Sequence, residues 1–156
     1  MNQDEIFMRK AIELSELAVE HGNEPFGAVL VRNGEIVCSN ENQIYTAADP
    51  TFHAESGLIQ RFCRETKITD LSDYTLYSSC EPCFMCSGAM VWTKLGRLVY
   101  AASNLDLCDI LNEENGSACS KIVFQYSACR PDVTAGVLRE ESLGILRRYF
   151  SDHKKG

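Results

Sequence analysis

The sequence predicts an α/β fold, a three-layer α/β/α sandwich in which a central mixed five-stranded sheet carries helices on both faces. Three observations predict it. Segments with helical apolar spacing alternate with short β-prone runs, an Asn-Gly pair joins two of these runs, and no Pro- or Ser-rich linker divides the chain. A chain of 156 residues is long enough to bury a core of its own, so we assign residues 1–156 to a single domain.

The first elements are a helix and a hairpin. Residues 4–20 carry apolar side chains at helical spacing. Two β-prone runs, 27–32 and 35–39, flank the pair Asn33-Gly34, which is the strongest short sequence signal for a β-hairpin. The polar segment 40–50 that follows is expected to be a loop.

The middle of the chain alternates helix and strand again. Apolar spacing predicts a helix over 53–67, and β-propensity predicts a strand over 74–78. A second helix, at about 83–95, is apolar on nearly all sides, so we expect it to be buried. A strand over 97–101 follows this helix.

The last third of the chain is harder to assign. Residues 138–150 form a closing amphipathic helix, but the segment 103–136 before it carries two candidates for the last strand. Residues 122–126 have local β-propensity, and Val133-Thr134 is the alternative.

Composition limits the kind of partner. The chain has 15 Lys and Arg against 22 Asp and Glu, a formal charge of −7, so it lacks the general positive charge of a nucleic-acid-binding protein. No run reaches the roughly 18 apolar residues of a membrane helix, and the first residues, Met-Asn-Gln-Asp-Glu, do not resemble a signal peptide. We expect a cytoplasmic protein without a membrane partner.

Eight cysteines are the unusual feature of the composition. Without an export signal they are expected to be reduced thiols, and a cluster among them suggests metal binding. Five are scattered and expected to be small buried apolar side chains: Cys38, Cys63, Cys108, Cys119 and Cys129. Cys80, Cys83 and Cys86 are instead spaced three residues apart.

Two segments at the starts of predicted helices carry metal-ligand residues, His53-Ala-Glu55 and Pro82-Cys83-Phe-Met-Cys86. Zinc favours nitrogen and thiolate ligands, and cysteines at i and i+3 lie on one side of a helical turn. We therefore expect His53, Cys83 and Cys86 to bind one zinc ion and to leave a fourth position for water. Glu55 then projects into the same pocket as a general acid and base, while Cys80 is expected to be a packed thiol.

Two other interpretations of the cysteines remain. A closed structural zinc site with His53 and all three cysteines would give Glu55 no chemical role. An iron–sulfur site is disfavoured because the fourth position of the run is occupied by Met90.

The two motifs together resemble the cytidine-deaminase-like superfamily of zinc-dependent deaminases, and within it the guanine or purine deaminases and the tRNA adenosine deaminases. The resemblance is carried by Pro25-Phe-Gly-Ala-Val29, Asp49-Pro-Thr51, His53-Ala-Glu55, Ser79-Cys-Glu-Pro-Cys83 and Gly96-Arg-Leu-Val-Tyr100. It implies one Zn²⁺ per subunit, hydroxide attack on the amino-bearing ring carbon with Glu55 moving the protons, and assembly as a homodimer.

From this resemblance we expect the substrate to be guanine, which is converted to xanthine and ammonia. Asn42, with Asn40 as the weaker candidate, stands where purine-type relatives contact the base. Phe26 resembles the guanine group, with packing in the core as the alternative. A Gly-Phe-Asp-Asp stretch of the guanine enzymes is absent, and Glu113 and Glu114 are candidates to replace its acid, with a solvated acidic loop as the alternative. Tyr149 and Phe150 are candidates for a lid over the site, with packing in the core as the alternative.

Three alternatives to guanine remain. A tRNA adenosine deaminase, which converts adenosine to inosine, is favoured by the ending Gly136-Val-Leu-Arg-Glu-Glu141. It is disfavoured by the small supply of basic residues near the end of the chain: Arg147, Arg148, Lys154 and Lys155. The others are a deaminase of cytosine or another amino-heterocycle, and a non-catalytic, zinc-stabilised interaction module.

Overall fold

The computed structural model describes residues 1–114 and 116–153. Its elements, in chain order, are α1 (Gln3–Glu20), β1 (Gly27–Arg32), β2 (Glu35–Glu41), α2 (Ala54–Thr66), β3 (Thr75–Cys80), α3 (Phe84–Trp92), β4 (Arg97–Ala102), α4 (Asn104–Leu111), α5 (Cys119–Gln125), β5 (Asp132–Ala135) and α6 (Arg139–Asp152). In this part of the chain, no helix combines the length and the apolar character that crossing a membrane would need.

The five strands form one mixed sheet in the order β2-β1-β3-β4-β5. Strand β1 pairs antiparallel with β2 and β3, whereas β4 pairs parallel with β3 and β5. The mixed five-stranded sheet predicted from the sequence is therefore confirmed. Because β3 and β4 run in parallel, the residues that follow them lie at the same edge of the sheet.

The predicted hairpin is also confirmed. Asn33 and Gly34 connect β1 to β2, and both have positive φ, 51° and 75°. Two consecutive positive φ values are typical of a type I′ turn, whose twist matches that of the strands. Strand β2 extends two residues further than predicted, so Asn40 lies in the strand rather than in the loop.

Alternate side chains of β1 face opposite layers. Ala28 and Leu30 pack in a core with residues of α2, α3 and α5, while Val29 and Val31 pack in a second core against α1. Helix α6 contributes Ile145 to the second core. Helices thus cover both faces of the sheet, which confirms the three-layer arrangement.

Of the two candidates for the last strand, Val133-Thr134 is the one that forms it, and residues 122–126 do not form a strand. Helix α5 covers residues up to Gln125, and the last strand is β5, which contains Val133 and Thr134. Ser120 and Phe124, four residues apart, are the buried residues of α5. Packing of this helical face against α3 overrides the local β-propensity of the segment.

The helix predicted at about 83–95, which is α3, is buried on only one side. Cys86, Ser87 and Met90 of α3 are buried, but Trp92 is 87% exposed and Phe84 is 51% exposed. In this single chain, α3 lies in an outer layer and packs against α2 and α5. An apolar strip of α3 therefore faces outward.

All eight cysteines are free thiols, as predicted. The five scattered cysteines are half-buried, which is less burial than the sequence led us to expect. Cys80, in β3, is buried.

Candidate active site

Two helix N-termini meet beside the carboxyl end of β3 and bring the metal-ligand residues together. His53 is the N-cap residue of α2, Cys83 is the N-cap residue of α3, and Cys86 is the third residue of α3. Pro82 precedes the α3 N-cap, where its missing N–H costs no helical hydrogen bond. The local sequence thus places three potential ligands at two adjacent helix starts.

The three side chains are spaced as a zinc site requires. His53 Nδ1 lies 3.6 Å from Cys83 Sγ and 3.7 Å from Cys86 Sγ, and all three ligand atoms lie within 4.8 Å of one another. Nitrogen and sulfur ligands of a tetrahedral zinc ion are about 3.6 Å apart, given the usual bond lengths. The donor set and its spacing therefore fit zinc, and Cys80 lies outside this group among the described residues.

The two ligand thiols have different proton affinities. Hydrogen bonds with Cys86 and His53 lower the pKa of Cys83 to about 4, so its thiolate is favoured at neutral pH. The hydrogen bond with Cys83, together with burial, raises the pKa of Cys86. A metal ion binds cysteines as thiolates, so its binding would release any proton held by either thiol.

Glu55 is a buried carboxyl group of the site. It is the second residue of α2 and is only 5% exposed. Burial, followed by the nearby Cys83, raises the pKa of Glu55 to about 7. A carboxyl group with such a pKa takes up and releases a proton near neutral pH, which is what a general acid and base needs.

A cavity of about 1170 Å³ lies against His53, Glu55 and Cys83. This volume is slightly larger than the roughly 300–1,000 Å³ that is usual for small-molecule sites. Carboxylate side chains outnumber guanidinium groups among the described lining residues. The carboxylates belong to Glu24, Glu55, Glu81, Asp106, Asp109 and Glu113, and the guanidinium groups to Arg139 and Arg147.

Asn42 and Phe26 lie side by side in the wall of the cavity. The Asn42 backbone N–H donates to the Phe26 carbonyl at 3.0 Å, and Asn42 Oδ1 accepts a hydrogen bond from the Ile44 backbone. The alternative residue, Asn40, is used within the fold, since its amide donates to the Ala54 carbonyl and accepts from Gln43.

The acidic segment after α4 lies at the rim. Glu113 is exposed and lines the cavity, whereas Glu114 is exposed and is not among the described lining residues. Tyr149 and Phe150 also line the cavity, with their rings in an edge-to-face arrangement 4.9 Å apart. Of the four basic residues noted near the end of the chain, Lys154 and Lys155 lie outside the described residues.

Sequence reasoning missed an ion pair at this rim. Arg139, the first residue of α6, donates two hydrogen bonds to Asp106 of α4, at 2.6 Å and 2.9 Å. These bonds lower the pKa of Asp106 to about 2. The pattern Ser103-x-x-Asp106 is typical of the start of a helix and marks the beginning of α4. No local pattern predicts that Asp106 pairs with Arg139, which is 33 residues away.

Comparison with known proteins agrees with this geometry. The family model for the zinc-binding region of cytidine and deoxycytidylate deaminases matches residues 1–102. A tRNA-specific adenosine deaminase of Bacillus subtilis is 35% identical over 99% of this chain and 93% of its own length. A guanine deaminase of the same organism is 40% identical over 67% of this chain and 68% of its own length.

Among solved structures, a guanine deaminase from Nitrosomonas europaea superposes with a TM-score of 0.81 at 25% identity. The superposition covers 94% of this chain and 84% of that one. The predicted resemblance is thereby confirmed, and with it the zinc-binding character of the site. The chain belongs to the zinc-binding cytidine and deoxycytidylate deaminase family.

Proposed function

We propose that the protein is a hydrolytic deaminase of a free purine base or nucleoside, and that guanine is its substrate. The observation that carries this proposal is the excess of acidic over basic side chains in the cavity wall, where six carboxyl groups accompany two guanidinium groups among the described lining residues. Binding a nucleic acid requires several cations against its phosphates. A free base makes no such demand, and its ring N–H and amino groups donate to carboxylates.

His53, Cys83 and Cys86 would hold the zinc ion of this reaction. Zinc in such a site lowers the pKa of water toward 7 and so supplies hydroxide at neutral pH. The protein contributes the burial of the site and the position of Glu55 beside it.

Glu55 moves the protons. Its carboxylate takes a proton from the attacking water and passes it to the ring nitrogen beside the amino-bearing carbon. A second proton from water then goes, by way of the same carboxyl group, to the departing amino group. A C–O bond forms, the C–N bond breaks, and the oxygen of water becomes the carbonyl oxygen of the product while ammonia leaves.

Asn42, Phe26 and Glu113 line the cavity and are proposed to bind the base. The Asn42 amide can both donate to and accept from the polar edge of a purine. The Phe26 side chain offers the purine ring an apolar wall. The carboxylate of Glu113 would accept from the ring N–H and exocyclic amine of guanine, and Glu114 is the alternative acid from the adjacent position.

Ammonia release from the zinc-loaded protein tests the substrate. The panel contains guanine, guanosine, adenine, adenosine, cytosine, cytidine and a tRNA anticodon stem-loop. We expect the highest rate with guanine, and Glu113→Gln to raise the guanine KM more than it lowers kcat. Turnover of the stem-loop alone would overturn the proposal.

Deamination of adenosine in tRNA is the second candidate, because the similarity to the tRNA-specific enzyme extends over nearly the whole chain. Its signature would be stem-loop turnover whose KM rises steeply with salt, since phosphate contacts release counterions. Inhibition of guanine turnover by the stem-loop at low salt would show that both ligands reach one site.

We also propose that the protein is a homodimer. Phe84, Met85 and Trp92 of α3 are exposed apolar side chains on one helix, and a second copy would cover them. Light scattering after size-exclusion chromatography should give twice the mass of one chain, and Trp92→Lys should shift it toward the monomer. A monomeric wild-type protein would contradict the dimer.

A further inference from the structure

Glu81 is a second buried acid beside the metal site, and the proposed chemistry does not use it. It follows β3 and precedes Pro82 and Cys83, and it is only 4% exposed. Its backbone N–H donates to the carbonyl of Ala102, at the end of β4, at 2.7 Å. Glu81 therefore lies in the turn that connects the sheet to a metal ligand.

Both carboxylate oxygens of Glu81 accept hydrogen bonds from other elements. Oε1 accepts from the backbone N–H of Asn104, the first residue of α4, at 3.0 Å. Oε2 accepts from the hydroxyl of Ser120, the second residue of α5. One side chain thus ties the turn to the N-terminal ends of two helices.

Pro82, the next residue, also contacts Asn104. The Pro82 carbonyl accepts from Asn104 Nδ2 at 3.2 Å and from the Ser87 hydroxyl at 3.3 Å. Proline has no N–H, so this carbonyl is the only backbone group through which the residue can be fixed. Cys83 comes directly after it.

We propose that Glu81 is a positioning residue of the metal site. Its carboxylate joins α4 and α5 to the turn and thereby fixes the backbone from which the Cys83 thiolate reaches the metal. The inference rests on the proposed function only for its effect on turnover, since its effect on zinc binding is measured without a substrate.

Replacing Glu81 separates the geometric role from a general loss of stability. Glu81→Ala removes both acceptors, and we expect zinc affinity to fall about 10- to 100-fold, as for other groups that orient metal ligands. Glu81→Gln should restore most of the affinity. Its amide oxygen can accept from Asn104 while its NH₂ donates to Ser120, because a hydroxyl both donates and accepts.

Asp4 supplies a matched control. Its carboxylate also accepts hydrogen bonds from two other elements, from Arg97 and from the Tyr77 hydroxyl. Asp4 is not among the described residues that line the cavity. Asp4→Ala should lower the stability of the fold and leave zinc affinity within about twofold of the wild type, the level expected for distant, independent sites.

The experiment is a zinc competition titration with a chromophoric chelator on the wild type, Glu81→Ala, Glu81→Gln and Asp4→Ala, with thermal unfolding of each. The proposal predicts weak binding for Glu81→Ala alone. Wild-type affinity in Glu81→Ala overturns it, as does equal weakening in Asp4→Ala or in Glu81→Gln. If Glu81→Ala does not fold, Ser120→Ala serves in its place, with a loss of a few-fold expected and no loss contradicting the proposal.

Discussion

Two clusters of charged side chains lie at opposite ends of the central parallel strands, and their charges are balanced differently. Near the start of β4, the Asp4 carboxylate accepts from the two terminal nitrogens of the Arg97 guanidinium group, at 2.7 Å and 2.8 Å. These bonds lower the pKa of Asp4. Beyond the end of β3, burial and the nearby Cys83 raise the pKa of Glu55 to about 7.

The difference shows how one fold provides both stability and reactivity. An acid held by a cation keeps its charge at all ordinary pH values and therefore contributes to the native state. An acid that is buried beside thiol ligands exchanges its proton near neutral pH, which suits it to catalysis. Changes at the two ends should therefore alter different properties of the protein.

Removal of a metal ligand should have the largest effect. Cys86→Ala deletes one of three proposed ligands, so the purified protein should contain almost no zinc and release no ammonia. Metal analysis measures the zinc content, and the substrate panel measures ammonia release. Cys80→Ala is the matched control, since this thiol is equally buried but lies outside the ligand group. Normal zinc content in Cys86→Ala would show that the ligand assignment is wrong.

Weakening the paired cluster should instead lower stability. Asp4→Asn removes the negative charge and one of the two acceptor oxygens that face the Arg97 guanidinium group. Both side chains are partly exposed, so we expect a loss of about 1–2 kcal/mol in the free energy of unfolding. Urea denaturation measures it. Zinc content and turnover of the folded variant should match the wild type, and a selective loss of turnover would contradict the separation of the two clusters.

The ion pair at the cavity rim should have the smallest effect, and one that depends on pH. The pKa of Asp106 is lowered to about 2 in the fold, whereas an unfolded aspartate has a pKa of about 3.9. Its contribution is therefore complete above about pH 4 and is lost as the pH falls toward 2. Because Arg139 is substantially exposed, we expect this ion pair to contribute less than about 1 kcal/mol to the free energy of unfolding.

Comparing the unfolding of wild type and Asp106→Asn between pH 2 and 7 tests this. The asparagine can still accept from the Ser103 backbone, so the comparison isolates the charge. The difference in stability should be constant above about pH 4 and shrink below it. A difference that grows as the pH falls would refute the assignment.

The parts of the fold that depend on short sequence spacing could be predicted. Asn33-Gly34 specifies its own turn, and the proposed ligands His53, Cys83 and Cys86 each lie at a helix start that the neighbouring residues mark. In these segments, local chemistry and final structure agree, as expected for a sequence that specifies its fold consistently.

The parts of the structure that depend on contacts between distant segments could not be predicted from the sequence. Residues 122–126 have β-propensity, but their packing against α3 makes them helical. Glu81 finds its donors 23 and 39 residues away, and no local pattern predicts either of them. The segment after β4, which supplies Asp106 and Glu113 to the cavity, is also where the sequence departs from the guanine enzymes.

Replacement of Glu55 by glutamine tests the central claim most directly, because it keeps the shape of the side chain and removes its ability to exchange a proton. Glu55→Gln should fold, bind one zinc ion per chain and release ammonia about 10²–10⁴ times more slowly than the wild type from the best substrate of the panel. A variant that keeps both its zinc and the wild-type rate would contradict the account.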